Sequence, residues 1–71
     1  MKNPVGIKAL AIHVRVLREN AGMSQQDLAD ASGISKMTIQ RIENAKYSVT
    51  IDTLISVAEA LQIPLKKVVD Y

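Results

Sequence analysis

The side chains best equipped for chemistry in this sequence are hydrogen-bond donors and acceptors on helical spacing, not nucleophiles beside bases. Ser35, Lys36, Met37, Gln40 and Arg41 crowd into one short segment. If Ile39 and Ile42 face inward on a helix, Met37, Gln40, Arg41 and Asn44 project outward, and Ser35 and Lys36 stand at its N-terminal end. Such a face can read the edges of base pairs. Arg41 offers a fork of donors that matches guanine O6 and N7, and Lys36 can reach the same acceptors or a phosphate. Gln40 can pair with adenine N6 and N7, whereas Met37 has no hydrogen bond to give and suits a thymine methyl. Gln25 stands in the first turn of the preceding helix, where its amide and the backbone N–H groups can grip a phosphate oxygen.

Enzymatic chemistry has no comparable set. His13 is the sole histidine and cysteine is absent, so Ser24, Ser35 and the scattered carboxylates compose no nucleophile-base pair, and no enzyme is expected. The helix carrying His13 offers no carboxylate or imidazole neighbours for a metal, which makes His13 a surface residue. No metal and no cofactor are expected.

Two elements must position the polar face. From Ser24 to Asn44 the chain reads as two short helices joined at a glycine. Ser24 is an N-cap with Asp27 three residues on, in the manner of a capping box, and Ser35 is a second N-cap. Gly33 can take φ > 0 without Cβ strain and so turns the chain sharply. Leu28, Ala29, Ile34, Ile39 and Ile42 are the apolar positions, and Ala29 is small enough for the second helix to cross closely. The spacing, over about residues 25–44, is that of a helix-turn-helix.

Around this motif the chain is all-α, a compact five-helix bundle forming one domain over residues 1–71. Met1 to Gly6 reads as a loose lead-in. A helix from Ile7 to Ala21 buries Ile7, Leu10, Val14, Leu17 and Ala21, and Gly22 stops it. The same helix carries a second apolar row of Ala9, Ile12 and Val16, which either the lead-in covers or a partner or dimer contact takes. Ala45 to Val49 is a loop. Thr50 caps a helix from Ile51 to about Gln62 with Ile51, Leu54, Ile55, Ala58 and Leu61 inward, and Pro64 opens a last short helix that brings Leu65, Val68 and Val69 to the core.

Composition sets bounds on the rest. Hydrophobic residues make up 48% of the chain, with two Tyr and no Phe or Trp, so the core is aliphatic. A domain this small buries about 60% of its unfolded surface. With no cysteine, no secretory h-region in the lead-in and no apolar run near the ~20 residues of a membrane span, a soluble cytoplasmic protein is expected. The net charge of +2 argues little alone, but residues 1–46 hold seven Lys and Arg against four acids, so the helix-turn-helix half is the positive one.

The order Leu17-Arg18, Gly22, Ser24-Gln25, Leu28-Ala29, Gly33-Ile34-Ser35, Ile39, Ile42-Glu43-Asn44, Thr50-Ile51 and Ala58-Glu59-Ala60-Leu61 resembles the lambda-repressor-like, Xre-type helix-turn-helix family. The resemblance runs from Ile7 to about Val69. It implies a prokaryotic or phage transcriptional regulator, dimeric on a roughly palindromic operator of double-stranded DNA, with the second motif helix in the major groove. It supports base contacts from Lys36, Met37 and Arg41, and phosphate contacts from Gln25 with Asn44 and Lys46 across the groove. Tyr47 and Ser48 are further phosphate donors. Arg18 and Glu43 match positions that form an ion pair between the first helix and the recognition helix. The sequence departs from the family at Ala45 and Gln62, where glycine is common, and at Ile12 and Val16, usually polar. An alanine at 45 implies either a strained left-handed residue or a cap shifted to Asn44.

The functional expectation is a sequence-specific repressor acting as a homodimer through the apolar end of its last two helices. An antitoxin that binds its operator and a toxin protein is the alternative, with the Ile12 and Val16 row or the C-terminal helix as the contact. A protein-interaction module without specific DNA binding is a third reading, of a different class.

Overall fold

A computed structural model describes residues 4–46 and 49–70, and within them caps divide the chain into five helices. These are α1 (Pro4–Asn20), α2 (Gln25–Ser32), α3 (Lys36–Glu43), α4 (Ile51–Leu61) and α5 (Leu65–Val69). Each N-terminus inside the chain follows from a local signal. Ser24 and Asp27 form a capping box: the Asp27 N–H donates to Ser24 Oγ at 3.0 Å and the Ser24 N–H to Asp27 Oδ2 at 3.0 Å. Ser35 Oγ accepts from the Thr38 N–H and Thr50 Oγ1 from the Thr53 N–H, capping α3 and α4. α1 starts earlier than Ile7, because proline at a first helical position loses no hydrogen bond, so the described part of the lead-in extends the helix.

Left-handed residues end α2, α3 and α4. Gly33, at φ 73°, ends α2 and its N–H donates to the Ala29 carbonyl. After α3 the left-handed residue is Ala45, at φ 58°, while Asn44 stays at φ −93°, so the cap has not shifted. Two hydrogen bonds hold Ala45 there, from its own N–H to the Ile42 carbonyl and from the Lys46 N–H to the Arg41 carbonyl. The same pair of bonds recurs at Gln62, which takes φ 59° after α4.

One aliphatic core lies between the helices, built from Leu10, Val14, Leu28, Ala29, Ile39, Ile42, Leu54, Val57, Ala58, Leu61 and Val68. α1 packs on α3 and α5, and α2 on α3 and α4. Each large aliphatic side chain so buried is worth about 1.5–3 kcal/mol. Four expectations for inward residues are corrected. Ile51 and Ile55 of α4 are exposed, and Val57 is fully buried in their place, so the inward stripe lies further round the helix, toward Val57. Val69 is exposed too, since in the short α5 only Val68 points at the core. Ala21 lies past the end of α1 and is exposed. Among the described residues no helix is long and apolar enough to cross a membrane.

Candidate nucleic-acid interface

α3 has one buried face and one exposed face. Ile39, Ile42 and Glu43 are buried, whereas Lys36, Met37, Gln40 and Arg41 are exposed along the other side, with Ser35 at the N-terminal end and Asn44 and Lys46 at the C-terminal end. The structure therefore brings together every side chain proposed for base contact. Met37 is the most telling, since 60% of an apolar side chain stands in solvent at the centre of a polar face. Among the described residues no ion pair engages Lys36 or Arg41, so both cations are available to an external anion. The Ser35 hydroxyl is already engaged: it accepts from the Thr38 N–H and donates to Thr38 Oγ1 at 2.9 Å.

The orientation of α3 depends on Glu43. Its side chain is fully buried, and four hydrogen bonds converge on its carboxylate. Arg18 Nε donates to Oε2 at 2.7 Å, while Arg18 Nη2, Gln25 Nε2 and Arg15 Nε donate to Oε1 at 3.0, 3.2 and 3.4 Å. The expected partners Arg18 and Glu43 thus meet, and Arg18 also donates from Nη1 to the Met23 carbonyl at 2.8 Å. Burial pushes the Glu43 carboxyl up, but the hydrogen bonds from Arg18, Gln25 and Arg15, with the Arg18 charge, outweigh it and hold the group below the ordinary glutamate value. The hydrogen bonds to Glu43, with the Glu43 and Glu19 charges, outweigh burial and raise Arg18.

Gln25 makes a contact that its sequence position concealed. One of its two amide hydrogens is held by Glu43, which fixes the side chain at the start of α2 and leaves the other hydrogen for an acceptor outside the protein. The contact of Arg15 with Glu43 is one that sequence reasoning missed. Arg15 sits on α1, and only the packing of α1 on α3 reveals that it reaches Glu43. His13 is half-buried rather than a plain surface residue, with Nε2 donating to the Lys67 carbonyl at 2.6 Å and so tying α1 to α5. Tyr47 and Ser48 lie outside the described residues. Among the described residues no three His, Cys, Asp or Glu side chains gather as metal ligands would.

A model of the helix-turn-helix family matches residues 14–68. The control protein C.SmaI of Serratia marcescens is 38% identical over 58 residues, which cover 82% of this chain and 69% of that protein. A helix-turn-helix transcriptional regulatory protein of Pyrococcus furiosus is 39% identical over 57 residues, covering 80% of this chain but only 18% of the longer relative. In structure the fold is similar to the restriction-modification controller protein C.AhdI of Aeromonas hydrophila, at a TM-score of 0.85 and 26% identity over 87% of this chain and 94% of that one. Residues 14–68 run from the middle of α1 into α5 and take in both motif helices, the Arg18–Glu43 pair and nearly all of the core, so the chain belongs to the lambda-repressor-like helix-turn-helix family.

Proposed function

We propose that the protein is a sequence-specific DNA-binding transcriptional regulator that reads the major groove with α3. The observation that carries this reading is the exposed face of α3, where two unpaired cations, an amide and a bare thioether stand on a helix locked by a buried ion pair. Arg41 and Lys36 would take guanine acceptors, Gln40 an adenine and Met37 a thymine methyl, with Ser35 at the helix entry. Gln25 would hold the phosphate on one side of the groove, and Asn44 and Lys46 on the other.

A homodimer on a roughly palindromic site fits this reading, because Ile51, Ile55 and Val69 expose apolar surface on α4 and α5, two helices that pack on each other. Repression follows where the site overlaps a promoter. Selecting binding sites from random double-stranded DNA tests the proposal. The expected result is an enriched motif with two-fold related half-sites and affinity that falls steeply with salt. Absence of any enriched motif would overturn it.

A narrower reading is control of a restriction-modification system. It is favoured by the extent of the match to two controller proteins, at 69% of C.SmaI and 94% of C.AhdI. A reporter fused to the promoter of a neighbouring endonuclease gene should respond to the protein, and no response would leave only the general reading.

A further inference from the structure

Glu43 carries one negative charge and meets two guanidinium groups. Arg18 takes up that charge, since it is buried and bonded through Nε at 2.7 Å and Nη2 at 3.0 Å. Arg15 reaches the same carboxylate only from Nε, at 3.4 Å, and 48% of its side chain stays in solvent. The cluster therefore keeps a surplus positive charge, and its exposed share lies on Arg15. Among the described residues neither Nη of Arg15 has a partner, and Glu19, one helical turn further along α1, makes no ion pair with it. The donors of a guanidinium form a rigid fork, so the bond from Nε holds the plane of the group and leaves the Nη hydrogens for an acceptor outside the protein.

Gln25 arrives at the same place from another helix. Its Nε2 donates to Oε1 of Glu43 at 3.2 Å, the oxygen that Arg15 also contacts, so the amide of α2 and the guanidinium of α1 are neighbours. One buried oxygen thus holds both side chains, and each has donor hydrogens left over. A backbone phosphate presents two non-bridging oxygens that share one negative charge, and a charged fork beside a neutral amide complements it. Glu43 also ends α3, so whatever these donors hold lies beside the helix whose other face is exposed to a groove. We propose that Arg15 and Gln25 together grip one phosphate of the DNA backbone, oriented by their shared bonds to Glu43. This rests on the reading of α3 as the helix that reads bases, and it gives Gln25 a charged partner on α1, an element otherwise assigned no contact with DNA.

The full chain and the site selected from random DNA test this, with duplexes in which single phosphates are replaced by neutral methylphosphonates. For the wild type, replacement at one flanking position of a half-site should cost about tenfold in affinity by fluorescence anisotropy. Arg15→Ala and Gln25→Ala should each bind the natural duplex more weakly, and in both the same replacement should cost only about twofold or less. Arg15→Ala should also weaken matched and mismatched sites alike and lower the salt slope by about 1 for each protomer bound. Its urea midpoint should stay near that of the wild type, because Arg18 still neutralises Glu43. Undiminished methylphosphonate penalties in Arg15→Ala, or lost sensitivity at different phosphates in the two variants, would overturn the shared grip. So would an affinity loss with an unchanged salt slope, which would make Arg15 a support for Glu43 alone. In those cases the α3 reading stands as long as Lys36→Ala with Arg41→Ala abolishes site preference. Wild-type binding that ignores salt and sequence would overturn both.

Discussion

Arg18 grips Glu43 through two separate bonds, Nε to Oε2 at 2.7 Å and Nη2 to Oε1 at 3.0 Å, across 25 residues of sequence. This contact joins α1 to the last turn of α3 and fixes the direction in which the exposed face of α3 points. Removing one member of a buried pair leaves the other charge uncompensated, which is far worse than lacking the pair altogether.

Arg18→Ala should therefore destabilise the fold by roughly 3 kcal/mol and weaken DNA binding along with it. A domain of this size has only on the order of 5 kcal/mol to lose. The double variant Arg18→Met, Glu43→Leu should recover much of the stability, because an apolar pair leaves no buried charge behind. Urea denaturation of the three proteins measures both effects. Unchanged stability in Arg18→Ala with collapsed DNA affinity would make Arg18 a DNA contact instead.

The acid limb of stability should carry the signature of Glu43. Its folded pKa lies below the ordinary value of 4.5, so its contribution is complete above that value and is lost as the pH falls toward the folded pKa. Asp27, held low by the backbone N–H and hydroxyl of Ser24, acts in the same direction. Glu43→Gln should be much less stable than the wild type at pH 7, and the gap should narrow below about pH 4.5. Denaturation midpoints from pH 7 down to pH 3 would reveal it, and a constant gap would mean that the carboxylate is not depressed.

Arg41 and Lys46 should fail in different ways. Arg41→Ala should cost about 1–3 kcal/mol on the selected site and relax the preference at one base position. Lys46→Ala should weaken all sequences alike and reduce the salt slope by about 1. Fluorescence anisotropy on matched and mismatched duplexes across a salt series separates the two.

Backbone strain offers a test independent of DNA. Ala45 holds φ 58° with a Cβ that disfavours it, and Gly33 holds φ 73° with nothing within 4 Å of where a Cβ would sit. Ala45→Gly should stabilise the fold by up to about 1 kcal/mol, the relief of strain being partly offset by a more flexible unfolded chain. Gly33→Ala should destabilise by about 1 kcal/mol or more through backbone strain alone. Opposite shifts in melting temperature are expected from the two swaps.

Local signals were legible in the sequence. Ser24, Ser35 and Thr50 cap the helices they were expected to cap, and Gly33 turns the chain, because each acts on neighbours within four residues. The face of α3 was equally plain, since Ile39 and Ile42 are its only large aliphatic residues besides Met37. α4 was not. With Ile51, Leu54, Ile55, Val57, Ala58 and Leu61 it is apolar on several sides, and only the packing of α2 and α5 decides that Val57 turns in and Ile55 out. The contacts of Arg15 and Gln25 with Glu43, and of His13 with Lys67, link residues 28, 18 and 54 positions apart, beyond any periodic pattern. The Arg18–Glu43 pair was expected only from the family resemblance.

The two faces of α3 also set how readily this molecule can acquire a new target. Met37, Gln40 and Arg41 touch solvent and contribute nothing to the core, so replacing them shifts stability by about 0.5 kcal/mol or less. Substitution at Ile39, Ile42 or Glu43 threatens folding itself. On the proposed reading, a lineage carrying this architecture can drift from one DNA site to another through folded intermediates at every step, because the residues proposed to read the bases and those that keep it folded lie on opposite sides of one eight-residue helix.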